Sequence, residues 1–494
     1  MGQSHSMGAR AARALIWQYG STFGGRILSL VAVALLARLL TPADFGLLGF
    51  ALIVTGFLDV VRDFGLSQGL VISKDPDEDA VANTVFRWGL LISSGLWIVA
   101  IAIGPLAADY FDEPRVAPIM AVLGSTFLIR ALSLTHYALA QKRLEFRSRT
   151  IAELVNTGGR GLAGVVMALI GFGVWALVLS YVVGAILFTI TLWLTVGWRP
   201  RWGGATVPVR GLLVFGGTLT LVDIAAAVLY SVDGIVIGRM IGQDALGLYS
   251  IGLRLPELIV LNLSVSLGVV LFPAFAGVPR EQLGDAFLKA LRFTLMLALP
   301  LGVGLVVMAE PVTLALFGDK WLGSVGAMQV LCAYAFFYAM GIPAGTVYKA
   351  IGRANLLLKL AIPQVVLVIA FSIPMAKYGI EAVASVVAGV TALFFVIGLI
   401  IVPHMIPVRY VDLWRATRAN LFAGLVTAVV LLAIQLPLDV PWVEVLLAIV
   451  LGGAAYFGTM WMVARDQLQY VASKVAPGRF GAPDDEPAEV PVSS

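Results

Sequence analysis

From Ala14 to Leu36 the chain runs for twenty-three residues with Arg26 as its sole charge, and runs of this kind follow one another almost to the end. A helix that crosses a bilayer needs about 20 predominantly apolar residues. Read on that ruler, the sequence divides into fourteen apolar helical segments. They lie at 14–36, 46–71, 86–108, 116–139, 151–170, 173–197, 211–237, 247–275, 288–309, 325–349, 356–376, 380–403, 419–436 and 442–463. No stretch between them is long enough for a sizeable soluble domain. Composition agrees: 60% of the residues are hydrophobic and 13% charged, against about 25% charged in a soluble globule. Lipid, not water, is the solvent this chain is written for. The expectation is an all-α polytopic membrane protein of about 14 transmembrane helices.

The basic residues orient the segments. Cytoplasmic connections of membrane proteins carry the excess of Lys and Arg. With the N-terminus placed inside, 23 of the 33 Lys and Arg fall on inside connections and 5 on outside ones, namely Arg38, Arg115, Arg239, Lys320 and Lys377. Both termini are therefore expected in the cytoplasm. The charged Arg10 and Arg13 precede an apolar run too long for a secretory signal core of about 7–15 residues, so the first run reads as an uncleaved span. The segment from Ala476, rich in Pro, Gly and acid, is expected to be disordered.

One stretch occurs twice. "ARLLTPADFGLLGFAL" at 37–52 is echoed by "GRMIGQDALGLYSIGL" at 238–253, an offset of 201 without a gap. Arg38 falls on Arg239, Gly46 on Gly247, Leu47 on Leu248 and Leu52 on Leu253. The copies end spans 1 and 7, which both run outward. A six-span unit repeated in one orientation is related by a pseudo-two-fold axis along the membrane normal, and substrate paths in such folds lie between the halves. The expected organisation is a cytoplasmic N-terminus at 1–13, an N-lobe of six helices at 14–197, a C-lobe of six at 211–403, two further helices at 419–463 and a tail at 476–494.

Ionisable groups at membrane depth cost about 2.5–3.5 kcal/mol each on the insertion scale, so each needs a reason. Five arginines lie within spans: Arg26, Arg62, Arg130, Arg160 and Arg254. Asp59 with Arg62, and Arg254 with Glu257, stand three apart and share a helix face, as structural ion pairs do. Arg160, near a span end, has the stem to snorkel. Taken together, arginines facing a wet cavity would hold an anion, because the planar guanidinium donates two parallel hydrogen bonds to a phosphate. Arg26, Arg62 and Arg254 are the expected substrate contacts. A carboxylate in a low-dielectric cavity takes up a proton more readily than in water. Asp59, Asp63, Asp223, Asp233 and Glu257 are the candidate ion-coupling acids, and Glu153 completes the set of acids in spans.

Other signals are weak in context. Cys332 is the single cysteine and reads as a small apolar packing residue. The three histidines lie far apart, so no metal site, no cofactor and no catalytic residues are expected. "GRGLAG" at 159–164 lies inside a span with no strand before it, which suits close helix approach better than a dinucleotide. "DPDED" at 75–79 stands where a helix begins, a position that favours acids. No phosphate-binding G-x-x-x-x-G-K-[ST] occurs.

Several blocks resemble a known family. They are "VALLARLLTPADFGLLGFALI" (33–53), "DFGLSQGLVISK" (63–74), "QKRLEF" (141–146), "VDGIVIGRMIGQDALGLYSIGLRL" (232–255), "LFPAFA" (271–276) and "LFGDKWLGSVGAMQVLC" (316–332). They resemble polysaccharide transporters of the multidrug/oligosaccharidyl-lipid/polysaccharide exporter superfamily, especially the Wzx-type colanic acid and lipopolysaccharide exporters. The resemblance covers roughly residues 10–465. It implies two pseudo-symmetric six-helix lobes, as in multidrug and toxin extrusion proteins. It implies a flippase of the bacterial inner membrane that carries an undecaprenyl-diphosphate-linked oligosaccharide by alternating access through a cationic central cavity. Implied partners are that lipid-linked oligosaccharide, membrane lipids, and a polysaccharide polymerase and chain-length regulator; no nucleic acid is implied. The rival readings are an exporter of another substrate (a peptidoglycan precursor flippase or a drug/ion antiporter) and a polytopic sugar polymerase. Five arginines in spans argue against a drug-cation exporter. The short outside connections, of which Glu310 to Ser324 is the longest, argue against a polymerase.

Overall fold

A computed structural model describes residues 24–73, 75–201, 203–209, 227–228, 230–353, 355–434 and 440–465. Among these residues every extended element is a helix and none is a strand. In chain order the helices are α1 (24–39), α2 (Pro42–Asp63), α3 (Leu66–Ile72), α4 (Glu78–Phe111), α5 (Val116–Lys142), α6 (Phe146–Leu169) and α7 (Val174–Thr195). Next come α8 (230–240), α9 (Gln243–Pro256), α10 (Asn262–Ala276), α11 (Leu283–Val307) and α12 (Ala309–Leu316). The last are α13 (Val325–Ala350), α14 (Asn355–Met375), α15 (Ile380–Ile401), α16 (Tyr410–Ile434), α17 (Pro441–Leu447) and α18 (Gly453–Val463). Two π-turns, at Glu257–Leu261 and Ala448–Gly452, join α9 to α10 and α17 to α18.

Eleven helical stretches among the described residues are long and apolar enough to cross a membrane, and each coincides with one of the fourteen expected segments. The remaining three are α1, α6 and the seventh segment. Helix α6 has the length of a span, 24 residues, but carries Arg147, Arg149, Glu153 and Arg160. Only residues 227–228 and 230–237 of the seventh segment are described. The N-terminal 1–13, Asp223 and the tail at 476–494 lie outside the described residues.

Local chemistry explains the breaks between helices. Thr41 and Asp44 form a capping box at the start of α2, with Pro42 at the first turn: Asp44 N–H donates to Thr41 Oγ1, and Thr41 N–H donates to Asp44 Oδ2 at 3.0 Å. Helix α2 ends where Phe64 and Gly65 adopt left-handed backbone, φ 44° and 68°. In "DPDED", Asp77 caps α4 by accepting from Ala80 N–H at 2.9 Å, as acids at a helix start should. In "GRGLAG" the glycines face neighbouring helices; a Cβ on Gly161 would fall 2.7 Å from Ala32 Cβ on α1.

The chain forms two compact units. The first comprises Met1–Gly252, Leu316–Ala327 and Val365–Val387; the second comprises Leu253–Ala315, Met328–Gln364 and Ala388–Ser494. The division cuts through α9, α13, α14 and α15 rather than following the repeat. A core of the first unit joins Leu66 and Leu70 to Val85, Phe86, Leu139 and Leu192. His136 is fully buried beside it, stacked on Trp193 with centroids 4.8 Å apart, its Nε2 3.2 Å from Trp198 O. The segment after α7 is strapped to α4: Arg201 N–H donates to Asn83 Oδ1 and Val207 N–H to Thr84 Oγ1, each at 2.9 Å. In the second unit Phe287, Leu291, Met340, Val347, Tyr348 and Val402 form one core, and Tyr456 and Met460 of α18 pack on Met296 and Ala423 in another. Cys332 is buried and free, as a packing residue should be.

The first unit also explains the repeated text: its two copies touch each other. A Cβ on Gly46 would fall 1.8 Å from the carbonyl oxygen of Gln243, and one on Gly247 would fall 1.9 Å from that of Pro42. Gln243 is the counterpart of Pro42 at the same offset of 201. Each glycine therefore receives the backbone that opens the other copy's helix. Real Cβ atoms essentially never approach within 3.0 Å of another heavy atom, so both positions require glycine.

Burial separates core from lipid face. Replacing fully buried Phe287 by Ala should cost about 3–5 kcal/mol and lower the thermal midpoint in detergent. Replacing Met462, 80% exposed, should leave the midpoint nearly unchanged. Equal shifts would contradict this assignment of core and lipid face.

Candidate functional site

The charges that the sequence places in spans 2, 4 and 5 meet inside the first unit. On α2, Arg62 Nε donates to Asp59 Oδ1 at 2.7 Å. The arginine is the more enclosed partner, 15% exposed against 53% for the aspartate. Across from them on α5, Arg130 lies within the electrostatic reach of Arg62, Asp59, Glu153 and Arg160. Its guanidinium stands 5.2 Å from the ring centroid of Phe188 on α7. Arg160 of α6 lies flat on Tyr181 of α7, 3.4 Å from the centroid. Glu153 stands one turn before Asn156 and feels the charges of Arg130 and Arg149. Arg149 in turn covers the ring of Tyr137 at 4.3 Å and donates to its hydroxyl at 2.6 Å.

This group has an internal logic. Three arginines, Arg62, Arg130 and Arg160, face two carboxylates, Asp59 and Glu153, so the set keeps a net positive charge. Aromatic faces support Arg130 and Arg160 through the ring quadrupole, which steadies a guanidinium without neutralising it. Glu153 and Asp59 are exposed, and Asp59 is so on a helix long and apolar enough to cross a membrane. A set of this kind attracts an anion, and the guanidinium forks suit phosphate oxygens.

The other expected residues have distinct surroundings. Arg26 is half-buried near the described start of α1. Asp63, at the end of α2, accepts from the N–H and hydroxyl of Ser67 at 2.9 and 2.8 Å and so caps α3. Asp233 on α8 accepts from the Tyr249 hydroxyl and from Gly234 N–H. Asp223 lies outside the described residues. In the second unit, Arg254 Nη1 donates to Glu257 Oε2 at 3.2 Å. Pro256 and the π-turn at Glu257–Leu261 follow at once, so this pair sits where the helix changes register. No metal-binding group of three or more His, Cys, Asp or Glu occurs among the described residues.

Sequence reasoning counted Arg130, Arg160 and Glu153 but did not join them to Asp59–Arg62. Arg160, which has the stem to snorkel, lies here over the ring of Tyr181. A signal was available: Tyr181 and Phe188 are seven residues apart, two helical turns on one face of α7.

The described residues form a polytopic helical protein whose arginines in these helices are paired or ring-supported at Arg62, Arg254, Arg130 and Arg160. Residues 35–326 match the family model described as polysaccharide biosynthesis protein, and the chain belongs to this family of Wzx-type polysaccharide transporters. It is 29% identical over 315 residues to the succinoglycan biosynthesis transport protein ExoT of Rhizobium meliloti (strain 1021), covering 62% of each chain. It is 26% identical over 343 residues to the lipopolysaccharide biosynthesis protein WzxC of Escherichia coli (strain K12), covering 67% of this chain and 68% of that one. In fold it is similar to the lipid II flippase MurJ in an inward closed conformation. There the TM-score is 0.76 at 15% identity, covering 92% of this chain and 100% of the other.

The stacked pair on α6 and α7 is testable by shape. Tyr181→Leu removes the ring under Arg160 and should cost about 1–2 kcal/mol of thermal stability in detergent. Tyr181→Phe keeps the ring and should cost little. Equal losses from the two variants would show that the ring face carries nothing.

Proposed function

We propose that the protein is a flippase that moves an undecaprenyl-diphosphate-linked oligosaccharide repeat unit across the bacterial inner membrane for exopolysaccharide or lipopolysaccharide biosynthesis. The observation that carries this reading is the cluster of Arg62, Arg130 and Arg160 with only two carboxylates among them. Membership of the polysaccharide biosynthesis family supports it, as do the names of ExoT and WzxC. The head group of such a cargo is a diphosphate with sugars attached. It cannot cross about 30 Å of hydrocarbon unaided. A protein must offer it water and fixed positive charge while its prenyl tail stays in lipid.

In this reading the lobes at 14–197 and 211–403 alternate in access, and both termini are cytoplasmic. Arg26, Arg62 and Arg254 receive the diphosphate, with Arg130 and Arg160 beside Arg62. Asp59, Asp63, Asp223, Asp233 and Glu257 are the acids proposed for ion coupling. Asp59 and Glu257 are well placed for it, since each shares its charge with an arginine that cargo would engage. No bond is made or broken, so the protein acts as a transporter, and the polymerase and chain-length regulator act on what it delivers.

Arg62→Ala or Arg254→Ala should abolish polymer export while the protein still inserts in the membrane at normal level. Normal polymer yield would remove that arginine from the site. A strain lacking the protein should accumulate lipid-linked repeat units on the inner leaflet. Single unpolymerised units outside the membrane would instead assign the protein to polymerisation.

A further inference from the structure

Helices α16 and α18 both belong to the second unit and lie beyond the repeated halves. A Cβ on Gly452, just before α18, would fall 2.9 Å from Leu431 Cδ2 of α16. Further along, the Tyr456 hydroxyl donates to Asn420 Oδ1 at 2.9 Å, and Met460 shares a core with Ala419. As α18 advances, its partners on α16 retreat, so the two helices are antiparallel. The end of α18 therefore lies beside the start of α16.

Helix α16 has two unlike faces. It buries Leu413, Ala416, Ala419 and Ala423. It exposes Trp414, Arg415 and Arg418, and beyond them Leu421, Phe422, Leu425, Val429 and Leu432. Steps of three and four residues keep all of these on one side. Trp414 is 61% exposed, and on α18 Trp461 is 50% exposed. The exposed Arg465 holds its guanidinium 4.6 Å from the centroid of the Trp461 ring.

The charges here are not balanced. Elsewhere on the inside connections, Lys142 and Arg143 share Glu78, and Arg201 has Asp79. At the start of α16 the acid is Asp412, which also lies within the electrostatic reach of Arg415. Arg409 holds it, with its backbone N–H at 3.2 Å and Nε at 3.3 Å. Arg415 and Arg418 join no ion pair or hydrogen bond among the described residues.

We propose that the adjoining ends of α16 and α18 form a binding site for an anionic glycerophospholipid of the cytoplasmic leaflet. The inference goes beyond the transport reading and rests on the orientation given by the charge bias, which puts these ends inside. Guanidinium forks suit the phosphate oxygens of the head group. Exposed tryptophans belong at the level where head groups meet acyl chains. The apolar stripe from Leu421 to Leu432 covers eleven steps of helix, about 16 Å. That is the depth of one leaflet, half of a hydrocarbon core of about 30 Å. A lipid that resides in one leaflet fits this ladder: phosphate on Arg415 and Arg418, glycerol beside Trp414 and acyl chains along the stripe. Arg465 brings a third guanidinium from α18, so one head group ties both helices.

Lipid counting tests it. The purified full chain in detergent is offered dioleoyl-phosphatidylglycerol or dioleoyl-phosphatidylcholine, and bound lipid is read by native mass spectrometry. Phosphatidylglycerol should be preferred about tenfold, the order expected of two arginines at a charged surface. Arg415→Gln/Arg418→Gln should lose the preference. Arg353→Gln/Lys359→Gln, which removes equal charge from another exposed inside connection of the same unit, should keep it. Equal binding of the two lipids, or an unchanged preference in the first pair, overturns the site. Equal loss in both pairs does so too, since it shows general positive charge and no site.

Two further measurements separate the rivals. Undecaprenyl diphosphate is offered to the same variants. If Arg415→Gln/Arg418→Gln loses this lipid and keeps phosphatidylglycerol, the face belongs to the transported cargo and the proposal falls. Phosphatidylglycerol should also raise the thermal midpoint of the unmodified protein more than phosphatidylcholine does, because the head group joins two helices. A rise of the same size in Arg415→Gln/Arg418→Gln would contradict that.

Discussion

A charge in the hydrocarbon of a bilayer must be paired, supported or wetted. That constraint accounts for much of what is distinctive in this protein. Its spans carry five arginines, each of which would cost about 2.5–3.5 kcal/mol on the insertion scale if left alone. The structure shows how several are kept. Arg62 leans on Asp59 at 2.7 Å, Arg254 on Glu257 at 3.2 Å, Arg160 on the face of Tyr181, and Arg130 on Phe188. An aromatic ring steadies a cation without cancelling it, so the group around Arg130 stays positive.

The same economy of contact governs the crossing of the repeats. Helix packing in lipid has no hydrophobic drive from water, and close approach at small residues takes its place. Gly46 and Gly247 bring two backbones nearer than any other residue type would allow. An alanine at either position would collide with a carbonyl oxygen. The repeated text is therefore a pair of complementary surfaces, and the glycine on which each depends stands at the same place in both copies, Gly46 and Gly247.

Much of the fold was legible in the sequence because hydropathy at a period of about 20 residues is imposed by the bilayer itself. Eleven expected spans are recovered as helices of spanning length. Helix α6 shows where that signal thins: its polar face, with Arg149, Glu153 and Arg160, serves the charged cluster and not the lipid. Partnerships across helices were less legible. Asp59–Arg62 and Arg254–Glu257 followed from a spacing of three. Arg130 with Glu153, or Arg160 with Tyr181, joins residues on different helices, and no periodicity within one helix reports them. Asp63 depends on the left-handed turn at Phe64 and Gly65 that returns Ser67 to its carboxylate. Asp233 depends on Tyr249, sixteen residues away on the next helix. The repeat itself was plain in the sequence, but the contact between its copies exists only in three dimensions.

The proposed function rests on half-buried guanidinium groups holding a diphosphate head group. The most direct measurement is binding of two lipids with the same prenyl tail to the purified protein, followed by native mass spectrometry. One lipid carries a diphosphate-linked sugar and the other a neutral sugar. The account predicts at least tenfold preference for the diphosphate lipid, lost in Arg62→Ala. Equal binding of the two lipids, with Arg62→Ala behaving as the unmodified protein, would contradict it.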